Sequence, residues 1–153
     1  MTATQTNPPG LPTVQDGLLI STNPATGAQV ARVPIAGADD VAAAVERARA
    51  AAAWWAGLGV GGRRTRLLRF RGILANRMPE IADLLHRECG KPVVEGVMET
   101  TAVLPHITWA AGNARRVLGL RRTRASTVAL EFSARVEYQP LGVVGAIGPW
   151  NYP

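Results

Sequence analysis

Cysteine is nearly absent: Cys89 is the only one in 153 residues. An intrachain disulfide is therefore excluded, nothing points to an oxidising compartment, and a reducing, cytoplasmic setting is expected. Lysine is as scarce, with Lys91 alone among the 17 basic residues, so the net charge of +6 rests on arginine. Together with the many alanines this reads as compositional bias rather than a surface built for a polyanion. The arginines are spread through segments that also carry Glu and Asp, and no basic strand is interleaved with aromatics for base stacking, so nucleic acid is not expected as a partner. A membrane is not expected either. The opening residues MTATQTNPPGLPTVQ lack the basic start and apolar core of a signal peptide, and no apolar run approaches the roughly 18 residues needed to span a bilayer. The chain has no P-loop and no internal repeat. Gly142, Gly145 and Gly148 are spaced by three, which is not the G-x-G-x-x-G fingerprint. His86 is a lone histidine with no second histidine three or four residues away and reads as a surface or packing residue, so no metal site is expected.

What is present suits a globular protein. The chain is 47% hydrophobic and 18% charged, long enough for one domain with a core. Residues 1–16, with Pro8, Pro9, Gly10 and Pro12, cannot bury enough apolar surface to offset ordering and are read as a loose arm. Leu18–Ser21 and Gln29–Pro34 flank the turn residues Asn23-Pro24-Ala25-Thr26-Gly27 and predict a hairpin. A hairpin is marginal alone and must rest on later residues.

Four helices are predicted next. Asp39 and Asp40 suit the first turn of one whose stripe is Val41, Val45, Ala48, Ala52 and Trp55, ended by Gly57, Gly59, Gly61 and Gly62. A second runs from about Arg63 to Arg77, burying Leu67, Phe70 and Leu74; its arginines read as a solvated outer face rather than a membrane-surface stripe. Pro79 suits the first position of a third, carrying Ile81, Leu84 and Leu85 and stopping at Gly90 with Pro92 beyond. Cys89 falls on that stripe and reads as a small buried hydrophobe, not a nucleophile. The fourth spans roughly Val93–Leu118, with Val94, Val97, Met98 and Thr101 on one face and Pro105 expected to kink or divide it. Glu95 and Glu99, four apart, read as an ordinary acidic face rather than an acid/base pair. His106 and Trp109 suit packing between helices.

From Arg121 the pattern turns to period two. Thr127–Val136 predicts extended strands with one wet face, whose open edges are templates for another subunit. Leu141–Ile147 is uncharged and rich in Val, Ile and Gly, as in a parallel strand buried on both faces. It breaks at Gly148-Pro149-Trp150-Asn151-Tyr152-Pro153. Ligands bind beyond the carboxyl ends of such strands, which makes Asn151, held between two prolines, a candidate functional amide.

These last residues, LGVVGAIGPWNYP at Leu141–Pro153, resemble the aldehyde dehydrogenase superfamily, whose strand and turn run close to P-x-G-V-x-x-x-I-x-P-W-N-x-P. The Asn23–Gly27 turn, the strand Val30-Ala31-Arg32-Val33-Pro34, the Ala-rich helix ending Trp54-Trp55, the arginine-led helix and Gly90-Lys91-Pro92 with Glu95 and Glu99 are similar to the same family in the same order. The resemblance implies an α/β fold represented by its amino-terminal part: hairpin, helical layer, bridging strands and first core parallel strand of an incomplete doubly wound sheet. The parts are 1–16 as arm, 17–120 as hairpin and helical part of the cofactor-binding domain, 121–138 as bridging and oligomerisation strands, and 139–153 as core strand and asparagine turn.

For function the resemblance implies oxidation of an aldehyde to a carboxylic acid. A cysteine attacks the aldehyde, hydride passes to NAD or NADP, and a glutamate-activated water hydrolyses the thioester. Asn151 matches the asparagine that donates its side-chain N–H to the oxyanion, while Ile147, Gly148, Pro149 and Trp150 would line the cofactor cleft near the nicotinamide. The strands at 127–136 would join a homo-oligomer. The family's nucleophilic cysteine, general-base glutamate and glycine-rich cofactor turn lie downstream of the asparagine motif, so the 153 residues alone are expected to be inactive. A non-catalytic interaction fragment is the alternative.

Overall fold

The computed structural model describes residues 13–123, 128, 132–149 and 151–152. Three antiparallel strands come first: β1 (Thr13–Gln15), β2 (Leu18–Thr22) and β3 (Gln29–Pro34), in that order across the sheet. The expected hairpin is thus three-stranded, and Thr13–Gln15, placed in the arm, pair with Leu18–Ile20. The cause is Asp16-Gly17, whose φ angles are 51° and 73°. Two successive residues at positive φ make the tight connection whose twist matches that of paired strands. The rest of the expected arm, 1–12, lies outside the described residues. At the second turn Asn23 Oδ1 accepts the amides of Ala25 and Thr26 at 2.9 and 3.1 Å, and Gly27 sits at φ 71°. This is the turn expected from those residue types.

The sheet rests on the third helix. Ser21 Oγ donates to Glu88 Oε1 at 3.1 Å, and a Cβ on Gly90 would stand 2.7 Å from Pro24 Cγ.

The helices are α1 (Ala38–Gly57), α2 (Gly59–Asn76), α3 (Met78–Cys89) and α4 (Val93–Leu118). The Gly37 amide donates to Asp40 Oδ2 at 2.8 Å, closing the start of α1. Of its predicted stripe, Val45, Ala48, Ala52 and Trp55 are half-buried, while Val41 is exposed. Helix α2 begins at Gly59, not Arg63, so Gly61 and Gly62 lie inside it rather than ending α1. Packing of α2 on α4, with Trp55, Val60, Leu67, Ala111 and Leu118 around one apolar cleft, offsets the roughly 1 kcal/mol that a helical glycine costs. Leu67 and Leu74 are half-buried as expected, whereas Phe70 remains exposed. Pro79 falls one residue after the start of α3, still in the first turn where a missing N–H loses nothing.

Helix α4 departs most from expectation. It runs unbroken through Pro105, and its contacts with α2 and α3 oppose division at the proline. Its packed face is Gly96, Thr100 and Ala111, whereas Val94 and Met98 are 63% and 66% exposed and His106 and Trp109 are also exposed. Small residues set this rotation. A Cβ on Gly96 would stand 2.9 Å from Ala82 Cα and 3.2 Å from Ala82 Cβ, so the backbones of α3 and α4 approach closely there. Thr100 Oγ1 is satisfied inside the contact by the Gly96 carbonyl at 2.9 Å. Among the described residues Ala82, Gly96, Thr100 and Ala111 are the buried ones.

Strands β4 (Arg121–Thr123) and β5 (Ala134–Val136) form an antiparallel pair, Arg121 opposite Val136. The expected strands of 127–136 are met at 134–136; 127 and 129–131 lie outside the described residues. Leu141–Ile147 forms no strand, and Leu141, Val144 and Ile147 are exposed. A parallel strand is held by ladders to neighbours, and among the described residues no strand lies beside this one.

Gly96 and Gly112 occupy the same helix with opposite surroundings, because nothing lies within 4 Å of a Cβ built on Gly112. Gly112→Ala is expected to raise stability by up to about 1 kcal/mol through helix propensity. Gly96→Ala is expected to lower it, since overpacking of about 1–3 kcal/mol against backbone exceeds that gain. Urea denaturation of both variants checks the opposite signs.

Candidate functional site

The connection between α3 and α4 is three residues long, Gly90-Lys91-Pro92. Gly90 ends α3 at φ 72° with its amide on the His86 carbonyl at 3.0 Å, a left-handed stop that glycine adopts without strain. Pro92 caps α4 with extended backbone, its carbonyl accepting from Glu95 N at 3.0 Å. Between them the Lys91 carbonyl is 2.8 Å from His86 Nδ1. A carbonyl only accepts, so that ring nitrogen carries the proton. The Lys91 backbone is thus held on both sides, and its side chain leaves from a fixed point.

Its ammonium meets three groups. It donates to Glu99 Oε1, in the second turn of α4, and to the carbonyl of Asn151 at 2.8 Å, and it lies 4.5 Å from the centroid of the Tyr152 ring. Only 11% of the Lys91 side chain and 18% of the Glu99 side chain is exposed. The Glu99 hydrogen bond holds the lysine pKa above its ordinary value against partial burial, aided by the negative charge of Glu99 and by Cys89 and Tyr152. Glu99 is therefore not part of an ordinary acidic face, although Glu95 is exposed as such a face requires.

Asn151 is exposed, with its backbone carbonyl engaged by Lys91. Ile147 is 100% exposed, and Gly148 and Pro149 are exposed beside it. Trp150 lies outside the described residues. The chain reaches this point along the helical layer. Tyr138, Gln139 and Pro140 line a cleft with Val60, Arg63, Arg115 and Leu118, and Gly142, Val143 and Val144 line another with Ala48, Ala51, Ala52, Trp54 and Trp55. Tyr138 is pinned at the start of this path by Arg121, which donates to its hydroxyl and lies over its ring at 5.4 Å.

Asn151 is thus brought together with Lys91, Glu99 and Tyr152, which sequence reasoning had not joined to it. The available signal was the single lysine of an arginine-rich chain, set between Gly90 and Pro92. Cys89 is half-buried at the end of α3. Among the described residues no group of three or more His, Cys, Asp and Glu is placed to hold a metal ion, and no helix is long and apolar enough to cross a membrane. Chemically, the arrangement is a neutral amide on an anchored backbone, open to solvent, beside an uncharged ledge.

Residues 14–153 match the Aldehyde dehydrogenase family. Among curated proteins, the chain is 38% identical over 131 residues to a probable succinate-semialdehyde dehydrogenase [NADP(+)] of Sinorhizobium fredii, covering 86% of this chain and 26% of that protein. It is also 38% identical to the peroxisomal aminoaldehyde dehydrogenase 2 of Malus domestica, over 86% of this chain and 27% of the relative. Among solved structures, aldehyde dehydrogenase 21 of Physcomitrella patens, in complex with the reaction product succinate, aligns with a TM-score of 0.66 at 28% identity over 84% of this chain and 26% of its own. The chain spans about a quarter of the length of the curated relatives it matches, and its three-stranded sheet, helical layer and strand pair form part of the same fold, with its sheets incomplete. This chain belongs to the aldehyde dehydrogenase family.

Proposed function

We propose that these residues supply the asparagine turn of an enzyme that oxidises an aldehyde to a carboxylic acid with NAD or NADP, in a reducing cytoplasmic setting. The observation that carries this is the anchored backbone and exposed side of Asn151, at the end of the family match. When the family's nucleophilic cysteine adds to an aldehyde, the carbonyl oxygen gains negative charge. A side-chain N–H fixed beforehand near that oxygen stabilises the charge as it develops and costs no reorganisation. Asn151 has the right group for this, because an amide donates without itself titrating. Ile147, Gly148 and Pro149 are exposed and uncharged, and in this reading they and Trp150 are the residues of the motif that would face a nicotinamide. The bound nucleotide supplies the acceptor for the departing hydride. The relatives' names span carboxylate-bearing and amine-bearing aldehydes, so the substrate class is the aldehyde group itself.

A second reading, an interaction fragment, is favoured by β4 and β5, a two-stranded sheet. Open strand edges are templates for pairing, and the segment 127–136 would join copies of the chain edge to edge.

In a protein that carries these residues with the family's catalytic cysteine, Asn151→Ala is expected to lower kcat about 100- to 1,000-fold, the loss typical of one oxyanion donor. Steady-state kinetics with unchanged kcat would remove Asn151 from the mechanism. For the interaction reading, sedimentation velocity of the 153-residue chain should show an oligomer that Val136→Lys, a charge on the strand edge, converts to monomer; a monomeric parent chain would contradict it.

A further inference from the structure

We propose that Lys91 is the positioning residue of the asparagine turn, its ammonium tying the Asn151 carbonyl to Glu99 and so fixing where the Asn151 amide points. This rests on Asn151 being the oxyanion donor. An ammonium carries three N–H donors, directed apart. Lys91 presents them to three groups: a carboxylate on α4, a main-chain carbonyl 60 residues away in sequence, and an aromatic ring. A planar guanidinium would need those partners in one plane. Every other basic residue of the chain is arginine, yet this junction holds the one side chain whose donor geometry suits it.

The anchoring acts through covalent geometry. Holding the Asn151 carbonyl fixes the peptide plane that follows Asn151, and the ring of Tyr152 against the ammonium fixes the other end of that peptide. Holding this plane fixes where the Asn151 Cα sits and the Cα–C axis about which its side chain is carried. The origin of the constraint is itself rigid, because the Lys91 backbone is held by His86 and by the left-handed Gly90. Glu99 keeps the ammonium charged while most of its surface is covered. With its three donors directed at these partners, Lys91 acts through Asn151 rather than on a substrate.

The test is a double-mutant cycle in a protein that carries these residues with the family's catalytic cysteine. Lys91→Met is expected to lower kcat on the order of 10- to 100-fold, the loss that goes with a misplacement of about 1 Å, while KM changes little. In an Asn151→Ala background the same change is expected to produce no further loss, because nothing remains to be positioned. A Lys91→Met enzyme with unchanged kcat, or one losing the same factor in both backgrounds, overturns the proposal. If Asn151→Ala itself leaves kcat unchanged, the oxyanion role of Asn151 fails and the positioning role falls with it. The anchor is checked separately on the 153-residue chain. Lys91 Cε protons should show upfield shifts and cross-relaxation with the Tyr152 ring, lost in Tyr152→Leu; unstructured shifts with no cross-relaxation overturn the contact whatever the kinetics give.

Discussion

The close approach of α3 to α4, where Gly96 lies against Ala82, is the constraint on which the rest depends. The two helices nearly touch close to their joined ends, and the link between them, Gly90-Lys91-Pro92, is short and sharply turned. Gly90 stops one helix at φ 72° and Pro92 caps the next, which leaves Lys91 at the seam. Glu99 stands one turn beyond the packed residue Gly96 and so faces the same seam. The geometry of one glycine against one alanine is thereby passed to an ion pair, and from the ion pair to the asparagine turn.

The ion pairs of this chain divide by what they connect. Arg49 with Glu46, Arg77 with Glu80 and Arg87 with Asp83 are exposed pairs three or four residues apart on one helix or at its start. Such pairs stabilise little, because water competes and two long side chains must be held still. The pair of Lys91 and Glu99 is mostly covered, joins two elements, and carries a third partner 60 residues away. Removing either member would leave the other charged and poorly hydrated, a cost that falls on the position of the turn as well as on stability.

How much of this was legible in the sequence follows from which forces are local. The Asn23–Gly27 turn, the acidic first turn of α1, the existence of four helices and the stop at Gly90 depend on residues within a few positions and were legible, whereas the start of α2 at Gly59 depends on its packing against α4. Asp16-Gly17 was equally local, but this hairpin signal adjoins the proline-rich residues 8–12, whose composition alone favours a loose arm. The face of α4 was not legible, because a periodic stripe containing Val94 and Met98 loses to small residues when a neighbouring helix can come close. Burial of Leu141–Ile147 depends on strands beside it, which no property of those seven residues supplies. Asn151 stood out through its proline-bounded motif; Lys91 did not, since its partners lie 8 and 60 residues away.

Because Lys91 is the only lysine, labelling the chain with lysine carrying 13C at Cε gives a single side-chain signal whose pH titration reads this ammonium directly. A folded-state pKa raised above the ordinary lysine value stabilises the fold below that value, and the contribution is lost as pH rises through the folded pKa. The midpoint is predicted to lie above 10.5, the ordinary lysine value, and to fall towards it in Glu99→Gln. A midpoint at or below 10.5 that Glu99→Gln leaves unmoved would contradict the Lys91–Glu99 pair through which the asparagine turn is tied to α4.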